Sequence, residues 1–188
     1  MSDITLKVGT QLRFYSSATF APADPATDHS IGTPTDVVLT LSGVADDAGR
    51  QSDKVDLGAN RAPRYDCHAA FDWTDETPTV GERVDVFWAP STHATQANGN
   101  VAGNSGGDGA CPDGALGSIT LDEFLAQCLF IGSLINHDGA VVQNCHIGTL
   151  VPPTRYGQIV VVNRSGDVFE ADNVEMAVWL TPIIDDVA

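Results

Sequence analysis

Turn-forming residues interrupt this chain so often that no apolar run grows long. Its 188 residues include 18 Gly and 10 Pro. Between these breaks lie short stretches of alternating polar and apolar residues at 4–15, 37–44, 53–57, 64–73, 83–89, 128–136, 140–150, 158–163 and 175–180. Alternation with a period of two marks half-buried strands. Tyr65, Cys67, Ala69, Phe71 and Trp73 fall on one face of such a run, and Asp66, His68 and Asp72 on the other. Ile159-Val160-Val161-Val162 is apolar on both faces, which predicts a central or doubly covered strand. About eight or nine strands with turns every ~8–12 residues define an all-β sandwich or barrel. The expected architecture is an antiparallel, jelly-roll-like β-sandwich. One domain is expected over residues 1–188, with an extended N-terminal segment and a long Gly-rich loop at 91–118. His137-Asp138-Gly139 and Arg164-Ser165-Gly166-Asp167 read as tight turns.

One helix is expected, near residues 120–127. Thr120-Leu121-Asp122-Glu123 fits a capping box, in which the Thr hydroxyl and the Glu carboxylate each satisfy a free amide of the first turn. No apolar run approaches the ~18 residues of a membrane span. The N-terminal MSDITLKVG lacks the basic and apolar regions of a secretory signal, so reduced cysteines are expected.

Nine Lys and Arg stand against 25 Asp and Glu, a net charge of -16. Such a surface repels phosphate backbones and anionic lipid, so neither nucleic acid nor membrane is an expected partner. The acidity fits a saline setting as well as simple selection for solubility.

Several motifs invite a chemical reading. Gly103-Asn104-Ser105-Gly106-Gly107 resembles the nucleophile segment of trypsin-like proteases, with His68, Asp72 and Asp85 upstream. Only 37 positions separate His68 from Ser105, too few for two barrels, and no helix follows directly as an α/β-hydrolase requires. Cys67-His68 and Cys145-His146 offer four zinc-type donors, but neighbours on a strand point to opposite faces. Buried Cys beside outward His is the plainer reading. Asp108 and Asp113 lie in a Gly-rich loop of the kind that binds calcium, yet its GGDG turn occurs once. Trp73 and Trp88 share faces with core residues. Trp179 lies opposite Met176, Val178 and Leu180 in register, which predicts exposure or a subunit interface. No catalytic residue, metal or cofactor is assigned, and the chain is expected not to be an enzyme.

Phe130-Ile131-Gly132-Ser133-Leu134, Arg155 through Gly166 (RYGQIVVVNRSG) and Glu175-Met176-Ala177-Val178 before Thr181-Pro182 resemble small structural proteins of tailed-phage virions, over residues 115–184. The resemblance implies a capsid decoration or cement protein, made in the bacterial cytoplasm and residing on the virion. It implies the major capsid protein and further copies of itself, as a homotrimer, as partners. A tail or baseplate component and a carbohydrate-binding receptor module are the alternatives. Arg155, Tyr156 and Trp179 are the candidate interface residues. Arg155, among so few cations, is expected to form a partly buried pair whose loss lowers the melting temperature or dissociates the oligomer.

Overall fold

The alternating runs become strands in a computed structural model that describes residues 4–16, 20–172 and 174–187. In chain order these are β1 (Ile4–Val8), β2 (Leu12–Tyr15), β3 (Thr35–Val38), β4 (Gly49–Gln51), β5 (Val55–Asp56), β6 (Arg64–Phe71), β7 (Arg83–Ser91) and β8 (Gly109–Cys111). The helix α1 (Leu121–Leu125) follows, then β9 (Leu129–Ile135), β10 (Gln143–Leu150), β11 (Tyr156–Arg164) and β12 (Ala177–Val187). They form two six-stranded sheets. One has the order β10-β6-β12-β2-β3, with β1 also on β12; the other has β8-β4-β11-β7-β9, with β5 also on β11. The protein is therefore a β-sandwich with one short helix, as the alternation predicts.

Three details depart from the sequence reading. The run at 4–15 is broken into β1 and β2, which lie end to end along β12. The break falls at Gly9, where an added Cβ would press on the Pro182 ring at 3.0 Å. β2 and β3 pair in parallel, so the sandwich is not wholly antiparallel. The segments at 137–139 and 164–167 do turn the chain, but β9 and β10 lie in different sheets, as do β11 and β12. Neither segment closes a hairpin.

The doubly apolar run behaves as its composition requires. β11 is central, paired with β7 along its whole length and with β4 and β5 on its other side. Ile159 and Val161 face the inter-sheet core, while Val160 and Val162 face a second apolar cluster outside the sheet. The inter-sheet core also holds Phe14, Phe71, Trp73, Trp88 and Phe169, all fully buried. Burial of each such side chain contributes about 1.5–3 kcal/mol. Gly157 has a specific reason to lack a side chain: a Cβ there would lie 2.3 Å from the Trp88 ring. Gly132 has another, since its Cβ would lie 1.7 Å from the Ile147 carbonyl oxygen. Through that contact and a bulge beside Gly148, the edge strands β9 and β10 of opposite sheets meet along one side of the sandwich.

The capping box is formed. The Thr120 side chain accepts from the Glu123 amide, and the Glu123 carboxylate accepts from the Thr120 amide at 2.8 Å. The helix places Phe124 and Leu125 over Ala89, Cys111, Val160 and Val162, sealing the outer face of the β11 sheet. Among the described residues no helix is long and apolar enough to cross a membrane.

Candidate functional site

The three residues singled out from sequence do not form one site. Arg155 sits at the start of β11 and grips Asp56 of β5 in a two-pronged pair, Nε to Oδ1 and Nη2 to Oδ2, both 2.6 Å. Its guanidinium lies 5.1 Å from the Tyr156 ring centre. The pairing with a carboxylate is as expected, but the expected burial is not. The two side chains are 41% and 45% exposed: Val55 of β5 points into the core, and Asp56 beside it points out toward solvent. The hydrogen bond from Arg155 lowers the Asp56 carboxyl below its usual range. Tyr156 is half-buried beside this pair, and its carbonyl accepts from the Thr154 hydroxyl at 2.7 Å.

Trp179 corrects the expectation of exposure: it is fully buried. It does point out of the β6 sheet, but residues 20–34 fold back over it. Phe20 and His29 meet its ring edge-on at 5.6 and 5.2 Å, and its Nε1 donates to Ser30 Oγ at 3.3 Å. Ala70 and Ala177 leave room for the indole beneath.

Beside Trp179 the fold assembles a cluster absent from the sequence reading. His68 of β6 and His146 of β10 are direct cross-strand partners with rings 5.0 Å apart. His29, from the covering segment, stacks on His68 at 4.8 Å. His29 Nε2 lies 3.1 Å from Asn144 Oδ1. An amide oxygen only accepts, so Nε2 is the donor in this contact. Burial lowers His68 below the ordinary imidazole value, and His29 and then His146 push it further, against the pull of Asp66. Two charged rings 5 Å apart repel by about 1 kcal/mol at the dielectric of water and about 3 kcal/mol at an effective value near 20. A cleft of about 460 Å³ opens alongside, lined by Asp28, His29, Ser30, Asp66, His68 and Thr181, among others.

The remaining motifs resolve into structure. His68 lies on the outer face of one sheet. Ser105 belongs to the loop over the other sheet, where its amide donates to Asp113 Oδ2 at 2.7 Å. Asp72 caps Thr74, and Asp85 is held by Arg83 and Ser133. The sandwich thus separates the components of the protease-like pattern. Cys67 points into the core and His68 out of it, as strand geometry requires. Burial raises all four thiols, Cys128 to about 12, which disfavours the thiolate that metal ligation needs. Among the described residues no three His, Cys, Asp or Glu side chains are arranged to hold a metal ion.

The Gly-rich loop is organised by the protein's own cations. Arg50 Nη2 donates to Asp108 Oδ2 at 2.8 Å, and the Thr40 amide donates to Oδ1 at 2.9 Å. Desolvation would raise Asp108, but these bonds outweigh it and hold the carboxyl below its usual range. Gln51 and the Ser105 amide saturate Asp113 Oδ2. The Lys54 ammonium donates to the carbonyls of His93, Thr95 and Asn98 at 3.2, 2.9 and 2.8 Å. Burial lowers its pKa from the ordinary value. Both loop aspartates, Asp108 and Asp113, thus already have donors within the protein.

One surface feature escaped the sequence reading. Phe130 of β9 is 59% exposed and stands opposite Phe87 of β7, with rings 5.2 Å apart. Ile135, at the other end of β9, is 53% exposed. Strict alternation in LFIGSLI would set Phe130 and Ile135 on opposite faces; a bulge at Ile131 brings both to the outer face.

No family model and no curated protein matches this chain. Among solved structures it is similar to the clostridial cysteine protease Cwp84 after propeptide cleavage, at a TM-score of 0.35 and 15% identity, over 75% of this chain and 25% of that one. The chain therefore spans a quarter of that protein's length, and a likeness at this level assigns neither fold family nor activity.

Proposed function

We propose that this chain is a non-enzymatic structural subunit of a tailed-phage particle, a capsid decoration or cement protein that binds the major capsid shell as a homotrimer. The observation that carries the reading is the outer face of β9. It presents Phe130 and Ile135 on a strand without a single charge, in a chain of net charge -16. Exposed apolar side chains of this kind on a strongly acidic protein fit a protein partner. The resemblance in residues 115–184 supports the same reading, since its segments contribute β9, β11 and the start of β12.

Quantitative mass spectrometry of purified particles tests the proposal. A cement protein is present at on the order of hundreds of copies, as the symmetry of a shell demands. A few copies per particle point to the tail or baseplate, and binding on a glycan array to a receptor module. Phe130→Asp should abolish co-sedimentation with empty shells while leaving the melting temperature of the free protein unchanged.

A further inference from the structure

We propose that residues 20–34 form a strap that is closed over Trp179 at neutral pH and released at mildly acidic pH by charging of the His29–His68–His146 stack. The strap is a distinct element. It carries one 3₁₀ turn, Pro25–Thr27, capped by Asp24, and contributes no strand to either sheet. What holds it is mostly neutral. Gln11 of the β1–β2 connection donates from Nε2 to the His29 carbonyl at 3.0 Å and accepts from the Ile31 amide at 2.9 Å. The Ala21 amide donates to the Val174 carbonyl at 2.9 Å. Asn144 receives His29 Nε2, and Trp179 reaches Ser30. Charged groups also touch it: Arg13 donates to Ser30 Oγ at 3.2 Å, and the Ala23 amide donates to the Glu175 carboxylate.

The groups facing the stack decide its response to protons. β10 contributes His146 and the neutral Asn144; β6 contributes Asp66 beside His68; the strap contributes Asp28. β12 contributes Trp179, Thr181 and Ile183, none of which titrates in this range. β2 contributes Arg13, whose charge is already matched by Asp36 at 3.0 Å. Two carboxylates thus flank three imidazoles, and a second charged ring in the stack would lie about 5 Å from the first. A cationic His29 ring would stand 4.8 Å from His68. His29 is the only imidazole of the three on the strap. Lifting the strap separates it from the other two and removes that repulsion, which couples protonation to opening.

Hydrogen exchange resolved by residue tests this on the full chain. The reporters are the Ala21 and Ile31 amides of the strap, with Val161 of β11 as the internal reference. After correction for intrinsic rates, strap exchange relative to Val161 should rise at least about tenfold between about pH 7.5 and about pH 5, as charging linked to opening requires. His29→Gln keeps an amide donor for Asn144 and removes the charge, so its strap should stay protected at both pH values. Should that variant loosen the strap even at pH 7.5, His68→Gln decides, because it leaves every strap hydrogen bond named above in place. Loss of the pH dependence in His68→Gln supports the switch. A strap that tracks Val161 at all pH values in the wild type, or a tenfold rise that survives in His68→Gln, overturns it.

Discussion

Both outer faces of the sandwich are roofed, but by chemistries that respond to different perturbations. Over the β11 sheet, residues 92–128 are fastened by Arg50 on Asp108, by Lys54 among three carbonyls and by the apolar seal of Phe124. Over the β6 sheet, residues 20–34 are fastened by neutral amides and aromatic edges around Trp179 and three histidines. The first roof depends on ion pairs and charged hydrogen bonds, the second on neutral amides and on imidazole rings packed about 5 Å apart. One fold thus carries a constitutive cover and a conditional one.

The largest effect should come from removing the aromatic anchor of either roof. Phe124→Ala and Trp179→Ala should each cost about 3–5 kcal/mol in urea titrations. A loss under about 1 kcal/mol for Trp179 would mean that residues 20–34 do not bury it in solution, and the comparison would collapse to a single roof. Next in size is Arg50→Ala, which strips a half-buried carboxylate of its partner and should cost about 1–2 kcal/mol by the same measurement. A smaller effect separates the two faces by pH. His68 is lowered in the folded state, so its contribution is complete above about pH 6.5 and is lost as the pH falls from there toward the folded value. Asp108 and Asp113 are also lowered but are carboxylates, so their contribution is kept down to about pH 4 and lost only below it. Thermal melts against pH should show two declines, and His68→Gln should flatten only the upper one. The smallest effect belongs to Arg155→Ala. Its pair is open to solvent, so the melting temperature should not move measurably; a clear drop would show that the pair is covered by another subunit.

Residues whose environment is set by near neighbours were readable in advance. Thr120 and Glu123 are three positions apart, and their reciprocal bonds are a local affair. Cys67 inside and His68 outside follow from strand geometry. Ile159–Val162 had to be central, because both faces of that run need cover. Trp179 was misread for the complementary reason. Its orientation away from the core was correct, but its cover comes from a segment some 150 positions earlier, brought there by topology rather than by pattern. The histidine stack was invisible on the same ground, since residues 29, 68 and 146 acquire a common neighbourhood only when β10 pairs with β6 and the strap crosses both. Arg155 was assigned a carboxylate partner from charge scarcity alone, but scarcity says nothing about depth, and Asp56 lies at the rim.

The Lys54 contact has a consequence for how the acidic protein meets its medium. Three carbonyl oxygens converging on a positive centre are what a loop offers to a dissolved cation, which comes and goes with the bath. Here the positive centre is covalently tethered, so its effective concentration at the loop is fixed by the chain and not by the solution. Dialysis, chelators and changes of salt species cannot remove it. The turn at residues 93–98 therefore carries its own cation whatever the ionic composition of the surrounding water.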